Sequence, residues 1–122
     1  SILERIVEAE ATDKDEKSKI LVANVILNRV RSKEFPNSIE AVVFQRAYGK
    51  VQFSPTADGR YESVHITKST KRSVKKALED VIDYSEGALY FVEKTMANPK
   101  NVSWFDEALT RLFTYQGHSF YK

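Results

Sequence analysis

The chain has 122 residues, 19 basic and 17 acidic side chains for a net charge of +2, no cysteine, and 11% aromatic residues. That length suits one domain with a real core, the near balance of charge selects no polyanion partner, and the missing thiols exclude disulfides, thiolate nucleophiles and cysteine-ligated metals together. No apolar run reaches the eighteen residues of a membrane span and no leader pattern precedes Ser1, so the expectation is a single soluble domain over 1–122, mature or excised.

The first helix carries Leu3, Ile6 and Val7 at helical spacing, and the next position on that stripe is Glu10. Glu4 and Glu8 are read as lying on the wettable side. A carboxylate among apolar neighbours pays for desolvation by a raised pKa. The helix is expected to stop near Ala11, where the negative end of its dipole pushes the same way. Such a group holds its proton near neutral pH, as a general acid must. Asp13, with Glu16 three residues on, reads as the capping box of the second helix.

From Ile20 to Leu27 that helix is apolar almost all round, which predicts a central element packed on several sides. Asn24 and Asn28, four apart, read equally well as interhelical hydrogen bonds or as substrate contacts. Phe35-Pro36-Asn37-Ser38 turns the chain and caps a short helix through Ile39, Val42, Val43 and Phe44. Periodicity then fades: Val51 to Ser54 is read as a short extended piece, Asp58-Gly59 as a turn, and His65 as an exposed connector.

A long amphipathic helix is predicted over 67–84, with Val74, Ala77, Leu78, Val81 and Ile82 as its buried stripe. Its first half is crowded with Lys68, Lys71, Arg72, Lys75 and Lys76, read as a solvated face before a grip on an anionic polymer. Gly87 ends it, residues 88–92 form a strand, and Asn98 to Asn101 form a loop. Residues 104–109 make a helical turn, and 112–115 with 119–121 make a hairpin around Gln116-Gly117. The outline is α+β: a helical core with a small antiparallel sheet.

Two histidines without metal-site spacing argue against a bound catalytic metal, and no serine elbow or phosphate-cradling glycine loop exists. No cofactor is expected. Carboxylate chemistry remains, and Glu10 is its best-placed acid. Asp13, Asp15, Glu16 and Asp58 are the nearby choices for a second carboxylate, but Asp13 and Glu16 read as caps. A mechanism with one acid, in which the substrate supplies the nucleophile, stays open.

Ala9-Glu10-Ala11, Val25-Ile26-Leu27-Asn28-Arg29, Phe35-Pro36-Asn37, Gln52-Phe53-Ser54, Asp58-Gly59, Gly87-Ala88-Leu89-Tyr90-Phe91 and Gly117-His118-Ser119-Phe120-Tyr121 occur in that order. Together they resemble the catalytic domain of the SleB and CwlJ type of spore cortex-lytic cell wall hydrolases, over nearly the whole chain. The resemblance implies a lysozyme-like and lytic-transglycosylase-like fold acting on peptidoglycan glycan strands. It implies Glu10 as acid then base, with Asn28, Gln52, Phe53, Ser54, Tyr90, Phe91, His118 and Tyr121 as groove residues. A secreted or spore-associated monomer with no nucleic-acid partner is expected. Two positions depart from the pattern. Lys14 replaces the glutamate of an Ala-Glu-Ala-Arg-Gly-Glu run, and Glu93 replaces an asparagine. A hydrolytic muramidase or glucosaminidase and a non-catalytic wall-binding module are the alternatives.

Overall fold

The computed structural model describes residues 1–47, 49–79, 83–93 and 99–122. Helix α1 (Ile2–Glu10) begins at a capping box in which the Glu4 amide donates to the Ser1 hydroxyl. It stops where expected, with Ala11 as C-cap. The Thr12 hydroxyl donates to the Glu8 carbonyl at 2.6 Å, satisfying one of the acceptors a helix end leaves open. Asp13 then turns the chain at φ 63°.

Helix α2 (Glu16–Arg31) is capped by Asp15, whose carboxylate accepts from the Ser18 amide at 2.8 Å. This corrects the expected Asp13–Glu16 box. Asp13 is consumed by the left-handed turn, so the cap falls two residues later. The all-round apolar character of α2 has a simple cause. Val22, Ala23 and Ile26 face one core, shared with Leu3, Ile6, Val7, Val42, Val43 and Phe53. Leu21 and Val25 face a second, shared with Ala88 and Phe120. Phe91 packs against both.

Helix α3 (Ile39–Val43) is capped by Ser38, which accepts from the Ala41 amide at 3.1 Å. The segment that follows is more structured than its sequence suggests. Strands β1 (Arg46–Ala47) and β2 (Lys50–Val51) pair antiparallel. The expected extended piece stops at Val51, and the short helices α4 (Pro55–Asp58) and α5 (Arg60–Ser63) follow, hinged at Gly59 with φ 90°. That left-handed backbone suits glycine.

Helix α6 (Lys68–Glu79) buries Thr70, Ser73, Val74 and Ala77. Leu78, expected in the stripe, is 57% exposed, while the hydroxyl residues Thr70 and Ser73 take places inside. Val81 and Ile82 lie outside the described residues. The helix does not run to Tyr84, because Asp83 accepts hydrogen bonds from the Ser85 and Gly87 amides and shapes a turn there. A row on α2 grips this turn. Asn24 accepts from the Tyr84 amide, Asn28 donates to Asp83, Ser85 and the Ala88 carbonyl, and Arg29 donates to the Leu89 carbonyl.

Strand β3 (Tyr90–Glu93), helix α7 (Pro99–Ala108), strand β4 (Arg111–Tyr115) and strand β5 (His118–Tyr121) complete the chain. Pro99, Lys100 and Asn101, expected as loop, start α7, where proline is well placed because its missing N–H is an orphan in any helix's first turn. The sheet order is β3-β5-β4, all antiparallel. Gln116 at φ 50° and Gly117 at φ 86° make the tight two-residue turn of the predicted hairpin.

Candidate active site

Glu10 occupies the last position of α1, and the next residue, Ala11, is fully buried beside Phe53 in the helical core. Solvent still reaches Glu10, which is half-buried. Burial nevertheless pushes its carboxyl up to about 7, against the pull of Arg60 and with the push of Asp58. Among the described residues none donates a hydrogen bond to this carboxyl. Its proton is therefore not shared with a fixed protein acceptor.

The groups that face Glu10 come from the α4–α5 hinge. Arg60 holds Asp58 through both carboxylate oxygens, at 3.1 and 2.9 Å from Nε, and donates from Nη2 to the Ser54 hydroxyl at 2.9 Å. The Arg60 backbone amide also donates to Asp58. Hydrogen bonds from Arg60 hold the Asp58 carboxyl below its usual range. Asp58 is thus an ionised, committed partner. Sequence reading named Asp58 as a nearby carboxylate and Ser54 as a groove residue but missed Arg60. The cue available was its place two residues after Asp58, across the glycine hinge.

Of the other expected groove residues, Gln52 and Ser54 are exposed, and Tyr90 and Phe91 are half-buried. Phe53, His118 and Tyr121 are 2%, 2% and 0% exposed. Phe53 is drawn in by packing on Phe91 at 6.1 Å and by the Arg29 guanidinium at 5.1 Å. Tyr121 is closed over by Phe105 at 5.2 Å, and its hydroxyl donates to Asp106 at 2.8 Å. His118 lies at 5.2 Å from Phe91, and burial lowers its pKa against the opposing charge of Glu93. Asn28 is half-buried, with its amide nitrogen engaged by the 83–88 turn.

The two positions that depart from the motif pattern meet in space. Lys14 Nζ lies 3.4 Å from Glu93 Oε2, and the same carboxylate oxygen is 3.5 Å from His118 Nε2. Lys14 also donates to the Gln116 carbonyl at 2.9 Å, tying the turn after Glu10 to the β-hairpin. Gly117 sits against the Glu93 carboxylate, where a Cβ would stand 2.7 Å from Oε1, and its φ of 86° itself suits glycine.

An open depression of about 540 Å³ lies at the other end of α2, lined by Val30, Arg31, Ser32, Lys33 and Phe35 among others, and contains none of the expected site residues. Among the described residues no three His, Cys, Asp or Glu side chains gather as a metal site, and no helix is long and apolar enough to cross a membrane.

The fold is an α+β domain, and the end of α1 holds a half-buried carboxyl whose pKa burial pushes up to about 7. The chain belongs to the Cell Wall Hydrolase family, whose model matches residues 13–121. Glu10 precedes that matched stretch. The chain is 33% identical over 93 residues to a spore cortex-lytic enzyme of Bacillus subtilis, covering 74% of this chain and 28% of that protein. It is 37% identical over 86 residues to one from Bacillus cereus, covering 67% and 29%. The chain thus spans less than a third of these relatives' length.

The catalytic domain of the germination-specific lytic transglycosylase SleB from Bacillus anthracis superposes with a TM-score of 0.80 at 26% identity, covering 99% of this chain and 91% of that one. The catalytic domain of the Bacillus cereus SleB protein gives 0.78 at 26% identity, covering 99% and 87%. The expected α+β class and the family resemblance both agree with these matches.

Proposed function

We propose that this domain cleaves the glycan strands of peptidoglycan as a lytic transglycosylase, with Glu10 as its acid and then its base. The observation that carries the reading is half-buried Glu10 at the end of α1, with no hydrogen-bond donor to its carboxyl among the described residues and its pKa pushed to about 7. It holds a proton where ordinary carboxylates have lost theirs. Glu10 gives that proton to the oxygen between N-acetylmuramic acid and N-acetylglucosamine as the bond from C1 to that oxygen breaks. The resulting carboxylate takes the proton of the muramoyl 6-hydroxyl as that oxygen bonds to C1. A 1,6-anhydro end forms, water is not consumed, and Glu10 is protonated again. Asp58, locked to Arg60, is a poor base, which favours the route that needs only one carboxylate.

The same reading places the domain outside the cell or at the spore, acting on wall or cortex. The test is digestion of purified cortex and vegetative sacculi with mass spectrometry of the fragments. Anhydro ends support the proposal, and Glu10→Gln should release nothing while keeping the fold. Reducing ends would instead support hydrolysis, with Asp58 as the base for water; Asp58→Asn would then abolish release. Sedimentation with wall material but no released fragments would leave a binding module.

A further inference from the structure

With no donor to the Glu10 carboxyl among the described residues, the place of that group is set by the backbone at the end of α1. This backbone leaves the helix through a tight turn, in which the Lys14 amide donates to the Ala11 carbonyl at 3.1 Å. Inside the turn Asp13 stands at φ 63°, a left-handed conformation that residues with side chains rarely adopt and that their surroundings must hold. Among the described residues, Lys14 makes the only side-chain hydrogen bond that ties residues 11–14 to the rest of the molecule, since Thr12 bonds back into α1.

The Lys14 ammonium reaches two anchors at once, the Gln116 carbonyl at 2.9 Å and Glu93 Oε2 at 3.4 Å. Both belong to a stiff support, because β5 is the central strand of its sheet and is buried along its whole length. The anchor also lies on the side of the sheet that α1 faces. Glu93 follows Phe91 by two residues and so shares its face of β3, opposite His118 and Phe120 on β5. On that face Phe91 packs on Phe53 at 6.1 Å, and Phe53 shares its core with Ala11, the residue after Glu10. The next fastening, the Tyr115 hydroxyl donating to Asp15 at 2.6 Å with Lys17 4.7 Å from the same ring, holds the start of α2 and leaves the turn to Lys14.

We propose that Lys14 is a positioning residue whose clasp on Gln116 and Glu93 fixes the end of α1, and with it the depth at which the Glu10 carboxyl sits. The consequence for turnover rests on the catalytic reading above, but the placement is tested without substrate. Lys14→Met cuts the clasp and keeps the length of the side chain; as the ion pair is partly exposed on both sides, the thermal melt should move little. A looser turn admits water to Glu10, so its carboxyl carbon, followed by NMR across pH, should titrate below the present value of about 7. Loss of a cation alone would act the other way and raise that value, so the sign separates placement from charge. Lys14→Gln, shorter and neutral, should lower it as well, and Lys14→Arg, which keeps the donors, should restore it. On peptide-free glycan strands Lys14→Met should lower kcat about tenfold with KM nearly unchanged. A Glu10 titration that is unaltered or raised in Lys14→Met overturns the clasp, whatever becomes of turnover. A lowered titration in a domain whose wild type cleaves no wall material keeps the clasp and overturns the catalytic reading.

Discussion

Two glutamates two residues apart on α1 meet opposite fates. Glu8 is 2% exposed, and one of its oxygens accepts from the Thr67 amide, the Thr67 hydroxyl and the Thr70 hydroxyl at 2.9, 2.9 and 2.7 Å. Burial alone would raise its pKa, but those three bonds and the charge of Lys19 outweigh it and hold the carboxyl below its usual value. Glu10 is more open to water, has no such donors, and is pushed up to about 7. Exposure therefore does not decide charge here. Hydrogen-bond supply does: the start of α6 holds the Glu8 carboxyl below its usual value, while the donors of Arg60 at the α4–α5 hinge go to Asp58 and Ser54, leaving the Glu10 carboxyl raised.

The largest effect tests the Glu10 side of that contrast. Glu10→Gln keeps the shape and removes the proton, and should lower release of wall fragments by at least about a hundredfold. It should also stabilise the fold. With a folded pKa above the unfolded one, the native state binds more protons between pH 4.5 and about 7, so wild-type stability falls as pH rises through that window. The variant lacks this loss and should gain about 2 kcal/mol above pH 7, after allowance for solvent access. Urea titrations at pH 5 and pH 8 check this. Equal stability of variant and wild type at both values would mean that Glu10 ionises normally.

Glu8 should behave in the reverse sense. Glu8→Gln leaves activity intact per folded molecule but costs about 2–4 kcal/mol at pH 7, because a charge-assisted acceptor of three donors is lost in a buried place. Its contribution is present above the unfolded pKa and disappears as pH falls through the lowered folded value. Thermal melts from pH 3 to pH 7 should therefore converge for variant and wild type at the acid end. A variant that stays stable but loses cleavage would place the chemistry at Glu8.

How these two carboxylates read from sequence shows what a linear pattern carries. Helical spacing singled out Glu10, because Leu3, Ile6 and Val7 lie on its own helix. The same spacing put Glu8 on a wet face, and it is buried, because its cover is Thr67 and Thr70, about sixty residues away in the chain. Leu78 fails in the mirror sense: its apolar character fits the stripe, but Thr70 and Ser73 occupy the interior, the first bonded to Glu8 and the second to the Ser69 carbonyl. The two faces of α2 were legible, since both of its cores write apolar residues into one segment. The burial of Phe53, His118 and Tyr121 was less so, because the rings packed against them, Phe91 and Phe105, lie elsewhere in the chain.

The smallest predicted effect is the most specific, because it has a sign at each of two positions. Arg60 pulls the Glu10 proton affinity down and Asp58 pushes it up. Arg60→Gln should move the alkaline limb of the pH–activity profile to higher pH, since the cation that favours the carboxylate is gone. Asp58→Asn should move it lower, because an anion is removed and the guanidinium it held is freed toward Glu10. Neither change reaches the helical core, as both side chains are 45% exposed. The carboxyl carbon of Glu10, titrated by NMR, gives the same two shifts without any substrate. Lys71 and Lys19, on α6 and α2, act on Glu4 and Glu8 instead and should leave this limb where it is when replaced by glutamine. Opposite shifts at 58 and 60, with none at 19 or 71, can come only from an acid that sits against the α4–α5 hinge; a common shift would assign the limb to another group.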